Sequence, residues 1–386
     1  MKIMLVVCVL ALAACTANPA APTSEVPTAS TTPRPSEERP SASPSEDELG
    51  VEVDPHGGTV LFDAATAGQD TAWAAGYYTS AEDEPSYGLL LRRDGTRWHV
   101  EVQASQRFPD ALDSFVRGVD ADGPDNVWAV GDIGDLTEDY EDVRRPFALR
   151  WDGRDWETLR PSDLPKLDSL NDVAVDGSRA FLVGRRGDDK TSIPVFLTWN
   201  GRGFGRREFP GGSRFHAVDA GSGHVWIAGS SSRGRCADSR PAIWRSTSPR
   251  SAPVEMRLPP LGRGTLLHIQ ENGPSDVWAV GERGTSRDCE GYGSDRSMVL
   301  HWNGTSWKEV TLPRWEGSLR GIAVIGEDDV WVAGDEKDNS SYVTLMHYDG
   351  RRWKRQTALS EGGSNAFGLV DVPGTPNRLL AIGDPD

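Results

Sequence analysis

The sequence predicts an all-β fold, a seven-bladed β-propeller of four-stranded antiparallel blades, on three observations. First, a short phrase ending in glycine returns seven times: Trp73-Ala-Ala-Gly76, Trp128-Ala-Val-Gly131, Phe181-Leu-Val-Gly184, Trp226-Ile-Ala-Gly229, Trp278-Ala-Val-Gly281, Trp331-Val-Ala-Gly334 and Leu380-Ala-Ile-Gly383. Second, the glycines stand 45 to 55 residues apart. A unit of that size cannot bury its own apolar face and must pack on its neighbours. Third, an Asp-Gly or Asn-Gly pair returns at 94, 152, 200, 303 and 349, with an aromatic residue four places on: Trp98, Trp156, Phe204, Trp307 and Trp353.

Each unit divides into four short strands rich in β-branched and aromatic residues, separated by turn residues. In the best-formed unit, 319–324 is strand A, 329–333 strand B, 342–348 strand C and 352–356 strand D. The Asp-Gly and Asn-Gly pairs between C and D suit two-residue type I′ hairpins, which need positive φ at both central residues. The seventh unit shows an A–B pair alone. Exposed strand edges invite aggregation, so a reduced last blade is expected, closed by an N-terminal strand near 49–53. A six-bladed ring with a spare hairpin is the alternative.

The N-terminal residues read as an export signal. Lys2 precedes an apolar run from Ile3 to Ala14 that is short for a membrane span. The quartet Leu12-Ala13-Ala14-Cys15 resembles the bacterial lipobox. That resemblance implies cleavage before Cys15, acyl chains on Cys15, and a protein held on the outer face of a bacterial cell membrane. Residues 1–15 are thus the signal and 51–386 the propeller domain. Residues 16–50 are a linker in which 18 of 35 residues are Pro, Ser or Thr. Such a segment buries too little apolar surface to offset its ordering entropy. It would reach roughly 30 Å as a flexible coil.

The repeat resembles the broad class of bacterial propellers with kelch-like and BNR-like repeats. It lacks the Gly-Gly doublet that follows strand B in kelch units. Its adjacent Asp and Gly differ from the sialidase Asp-box, in which one residue separates them. No activity therefore carries over with the resemblance.

A net charge of −17 excludes a phosphate-binding nucleic-acid partner and direct adsorption to anionic lipid. Contact with the membrane is expected through the lipid alone. Cys236 and Cys289 hold near-equivalent places in adjacent repeats, which in an exported protein predicts a disulfide between neighbouring loops.

In a propeller the B–C and D–A loops share one face. Here that face carries the long insertions 77–87, 132–145, 230–240 and 282–296, and long loops on a rigid scaffold are where binding concentrates. Three sets of candidates fall on it. Thirteen of the fourteen tryptophans fit strand positions; Trp315 alone is off register, as a stacking platform for a sugar or peptide. The residues after the repeated glycines are Tyr77, Asp132, Arg185, Ser230, Glu282, Asp335 and Asp384, four of them acidic and able to offer oxygen ligands to Ca²⁺. The starts of strand A carry Arg117, Asn171, His216, His268 and Arg320, placed to meet an anion or the tip of a partner.

No nucleophile elbow, zinc-protease motif or phosphate loop occurs, so no catalytic residues and no cofactor are assigned. The expected function is a non-catalytic binding or scaffolding module for an envelope protein, peptide or glycan. The alternatives are a carbohydrate-active enzyme, hydrolase or lyase, and a metal-dependent sensor.

Overall fold

In a computed structural model the described residues are built mainly of short antiparallel strands. The structure describes residues 8–11, 58–68, 71–79, 85–94, 97–136, 142–159, 164, 167–187, 192–232, 239–284, 296–313, 315–336, 342–359, 365–371 and 378–384. Cys15, the linker 16–50, Cys236 and Cys289 lie outside them, as do the lipidation and disulfide expectations that rest on them.

Six four-stranded sheets follow one another, each with its strands bonded in chain order. They span residues 58–103, 113–159, 169–208, 213–255, 264–310 and 317–359. The A strands are Gly58–Thr66, Asp113–Ala121, Ser169–Asp176, Ser213–Gly221, Gly264–Glu271 and Gly317–Gly326. Each packs against the next, and Asn365–Asp371 closes the circuit by touching both the sixth and the first.

The propeller therefore has six blades, not the seven expected. The seventh repeat forms only the hairpin Asn365–Asp371 with Arg378–Asp384, wedged between blades 6 and 1. It supplies an A and a B strand but no C–D pair, so it cannot build a four-stranded sheet. The outer edge of that hairpin is paired by Cys8–Ala11, with Cys8 opposite Ala381; these residues belong to the stretch expected to be removed as the signal, so a chain cut before Cys15 would lack this strand. The closing strand anticipated at 49–53 lies outside the described residues.

Aromatic wedges hold the blades together. Trp73 of blade 1 meets Trp151 and Trp156 of blade 2 at ring distances of 6.2 and 5.3 Å. Trp128 meets Trp199 and Phe204 of blade 3, Trp226 meets Trp302 and Trp307 of blade 5, and Trp278 meets Tyr348 and Trp353 of blade 6. Each of these four strand-B tryptophans thus enters the aromatic pair that closes the next C–D turn. Edge-to-face pairs of this kind add about 0.5–1.5 kcal/mol beyond the area they bury. At the wedge, Trp331 has no such pair ahead of it and packs with Leu369, Leu379 and Ala381.

In blades 2, 3, 5 and 6 the C–D turns are not type I′ hairpins; in blade 1 Asp94 pairs with Arg97, and the two residues between them lie outside the described residues. Trp151 pairs directly with Trp156, leaving a four-residue loop, and Gly153 takes φ +94° while Asp152 keeps a negative φ. The Asp152 carboxylate instead accepts the backbone N–H groups of Arg154 and Asp155, each at 2.9 Å. Asn200, Asn303 and Asp349 do the same in their blades. Asp and Asn were selected for the side chain's reach to the backbone, not for tolerance of positive φ.

Strand A has no strand on its inner side, so its inward N–H groups need other acceptors. A side chain from the preceding blade supplies them. Asp63 accepts from Val119 N at 2.9 Å, Asp120 from Val175 N at 2.6 Å and Asp172 from Val218 N at 2.7 Å. Asp219 accepts from Glu271 N and Gln270 from Val324 N. Gly118 leaves the space that Asp172 fills, because a Cβ there would sit 2.8 Å from Asp172 Oδ1. Loss of bulk water pushes Asp120 up to about 7, with Asp219 and Asp63 adding repulsion. Burial, then Asp63, carries Asp172 well above the carboxylate range, and burial raises Asp219.

Candidate binding site at the channel mouth

Every A strand skips one residue beside the repeated glycine of strand B, and blade 6 skips a second, Ile325, near its A–B turn. The residues skipped beside the glycines are Phe62, Arg117, Asn171, His216, Leu267, Arg320 and Phe367. Such a bulge kinks the strand and re-aims the extra side chain. The repeated glycine pairs with the residue just before the bulge, as in Leu61 with Gly76 and Val116 with Gly131. A Cβ on Gly76, Gly131, Gly184, Gly229, Gly281 or Gly334 would lie 1.9 to 2.1 Å from a strand-A carbonyl oxygen. The signature glycine is therefore the condition for the kink, and the kink builds the site.

Four consecutive bulge residues, Phe62, Arg117, Asn171 and His216, line a cavity of about 340 Å³ with Arg185, Arg214, Phe215, Ser192 and Pro194. The ring continues beyond the cavity: Phe62 and Phe367 are 6.2 Å apart and Arg320 lies 5.5 Å over Phe367. Tyr77 joins this aromatic floor, 5.5 Å from Phe62 and 5.0 Å from Phe115.

The arginines are held in place. Arg117 pairs with the fully buried Asp132 and lies 5.2 Å over Phe115. Arg144 bonds the same Asp132 at 3.1 Å and Asp113 at 2.8 Å. Arg320 meets Asp335 at 2.7 Å. Arg185 donates to Ser169 Oγ and to the Gly187 carbonyl, both at 3.2 Å. Asn171 Nδ2 donates to the Phe215 carbonyl at 2.7 Å. Burial, with Arg214 and Arg320 nearby, lowers His216 to about 4, leaving it neutral at physiological pH.

The sequence candidates divide accordingly. Arg117, Asn171, His216 and Arg320 are bulge residues, and Tyr77 and Arg185 stand beside them. His268 is one residue past its bulge and sits deeper, with Nε2 3.9 Å from Asp63 Oδ1. Asp132 and Asp335 hold arginines and do not assemble with Glu282 into a cation ring. Burial raises Glu282, against the pull of Arg320. The side chain of Asp384 lies outside the described residues. No group of three metal-ligating side chains occurs among the described residues. Trp315 is buried, its Nε1 donating to the Asp335 carbonyl at 3.2 Å, and packs with Trp278 and Trp353. It offers no face to a ligand. Sequence reasoning missed Phe62, Phe367 and Arg214. The available signal was spacing, since each bulge residue precedes its repeat glycine by 13 to 16 positions.

Six blades around an axis, with a polar mouth built by strand-A bulges, define a β-propeller. No protein-family model matches the chain, and no curated protein matches it in sequence. Among solved structures it is similar to YCF48 bound to a D1 peptide: 13% identity, TM-score 0.50, covering 84% of this chain and 93% of that one. It is similar also to a fungal lectin of Aleuria aurantia, a six-bladed propeller that recognises fucose (13%, TM-score 0.47, 78% and 95% covered). A third is an ulvan lyase from a polysaccharide lyase family (11%, TM-score 0.49, 84% and 96% covered). At 13% identity the likeness to YCF48 shows the fold alone.

Proposed function

We propose that this protein is a non-catalytic binding module that receives a protein, peptide or glycan at the channel mouth on its long-loop face. One observation carries the reading: the strand-A bulge residues of four consecutive blades, Phe62, Arg117, Asn171 and His216, line one pocket, and that pocket holds three arginines. Fixed arginines and an aromatic floor favour recognition, because pre-organised groups lose little entropy when a ligand arrives. Proton transfer is less well served, since Asp132 and Asp335 are each bonded to an arginine and no acid is among the described residues that line the pocket. That YCF48, similar in fold, is bound to a peptide is compatible with the reading. We further propose that Cys15 carries the lipid and that the module stands off the outer face of the membrane on the 16–50 linker.

Cross-linking capture from intact cells tests the binding face. Arg185→Gln with Arg214→Gln should abolish capture of a partner that the wild type retains. Val254, exposed on a blade edge, is the control, and Val254→Ser should leave capture unchanged. Equal capture by both variants would refute the mouth as the binding face. Loss of acyl labelling in Cys15→Ser tests the anchor.

A further inference from the structure

We propose that Asn200 is a modification site, where the side-chain amide is lost to water without an enzyme and leaves aspartate or isoaspartate in the C–D turn of blade 3. The chemistry favours an asparagine followed by glycine, because no Cβ then shields the backbone nitrogen that attacks. The Gly201 nitrogen forms a bond to Asn200 Cγ, the Cγ–Nδ2 bond breaks, and ammonia leaves with the proton of the Gly201 N–H. Water then opens the resulting ring. Opening at the side-chain carbonyl gives aspartate. Opening at the backbone carbonyl gives isoaspartate, whose main chain is one methylene longer.

Three Asn-Gly pairs occur, at 200, 272 and 303. The fold leaves the first free to close the ring and holds the other two. Closure swings Cγ onto the glycine nitrogen, so whatever fixes the turn opposes it. In blade 5, Glu271 pairs with Val277, and the A–B loop 272–276 packs on the C–D turn. Gly304 lies against Ser275, whose Oγ would be 2.8 Å from a Cβ there, and Trp302 Nε1 donates to the Pro274 carbonyl at 3.3 Å. Asn303 Oδ1 also accepts the Thr305 hydroxyl at 2.9 Å. Asn272 Nδ2, the leaving nitrogen, donates to Asp276 Oδ2 at 2.8 Å, and that carboxylate opposes the negative charge building on the attacking nitrogen. Blade 3 differs. Asp176 pairs with Arg179, so its A–B turn is short. Nothing lies within 4 Å of a Cβ on Gly201, Trp199 Nε1 has no hydrogen-bond partner among the described residues, and Asn200 is exposed. Its Oδ1 accepts the Arg202 and Gly203 N–H groups, at 3.0 and 3.1 Å.

The two products differ in consequence. Aspartate fits, because Asp152 and Asp349 accept the equivalent pair of N–H groups in blades 2 and 6. Isoaspartate lengthens the loop that sets Trp199 opposite Phe204, the pair that grips Trp128 of blade 2. Peptide mapping by mass spectrometry, on full-length protein aged at mildly alkaline pH either folded or in urea, decides the matter. In the folded protein Asn200 should convert about fivefold or more faster than Asn303, the factor that one further hydrogen bond contributes, and faster than Asn272. In urea the three should convert at like rates. The isoaspartate form, separated by chromatography and identified by isoaspartyl methyltransferase labelling, should melt about 2 °C or more below wild type, while Asn200→Asp should melt with wild type. Asn200 intact in the folded protein after an interval that converts the unfolded chain, or Asn272 or Asn303 converting at least as fast as Asn200, overturns the proposal. An isoaspartate form that melts with wild type overturns its link to the wedge.

Discussion

Replacing Gly131 by alanine should damage stability and binding together, because one glycine sets both. The new Cβ would lie 1.9 Å from the Phe115 carbonyl oxygen and 3.0 Å from Phe147 Cζ. Ordinary contact begins near 3.4 Å, so strand A would have to retreat by roughly 1.5 Å. Phe115 is two residues from Arg117, and the bulge would move with it. Overpacking of this kind costs about 3 kcal/mol, a fall of about 6 °C or more in thermal midpoint at roughly 2–4 °C per kcal/mol. Gly203→Ala is the control, since nothing lies within 4 Å of a Cβ there, and it should stay within about 0.5 kcal/mol of wild type. Calorimetry on the two variants reads the difference. A Gly131→Ala protein that melts within 2 °C of wild type, roughly the shift expected for 1 kcal/mol, would refute the link between the repeated glycine and the bulge.

Three further outcomes are expected. Asp120 has its folded pKa raised to about 7 from 3.8, so folding holds its proton more tightly than the unfolded chain does, and its unfavourable effect grows as pH rises from about 4 through 7. Asp120→Asn should therefore be more stable than wild type at pH 8 by on the order of 1–2 kcal/mol and lose that advantage by pH 5, as read by urea unfolding. Asp132→Ala leaves Arg117 and Arg144 without their buried partner, and chemical denaturation should show a loss of about 3–5 kcal/mol. Trp315→Ala should cost about 3–5 kcal/mol yet leave cross-linking capture of the partner unchanged below the transition; lost capture at full folding would return Trp315 to the binding site.

The blade pattern was legible because it is periodic and local. Strand-B tryptophans, turn-forming Asp and Asn, and the repeated glycines each announce a position, and the structure uses them there. Blade number was less legible. Seven A–B pairs look alike in sequence, but a blade needs a C–D pair, which the seventh lacks. The turn type was misjudged because Asp-Gly can act through positive φ at two residues or through an Asp side chain bonded to the backbone, and only geometry separates these. At the mouth, Arg117 and Arg320 stood out as polar residues, while Phe62 and Phe367 were passed over, because a bulge has no residue signature and shows only as a spacing before the repeat glycine. His268 shows the same limit from the other side: one residue of register put it beside Asp63 rather than at the rim. Trp315 was off the strand pattern and still buried, since the D–A loop folds it under the blade 6 sheet.

The most direct test of the account is hydrogen exchange on the intact protein with and without the partner captured by cross-linking. Protection should gather at the bulges around Phe62, Arg117, Asn171 and His216 and at Arg185, the elements that line the pocket. Protection confined to the opposite end, at the C–D turns near Gly153, Gly201, Gly304 and Gly350, would contradict it.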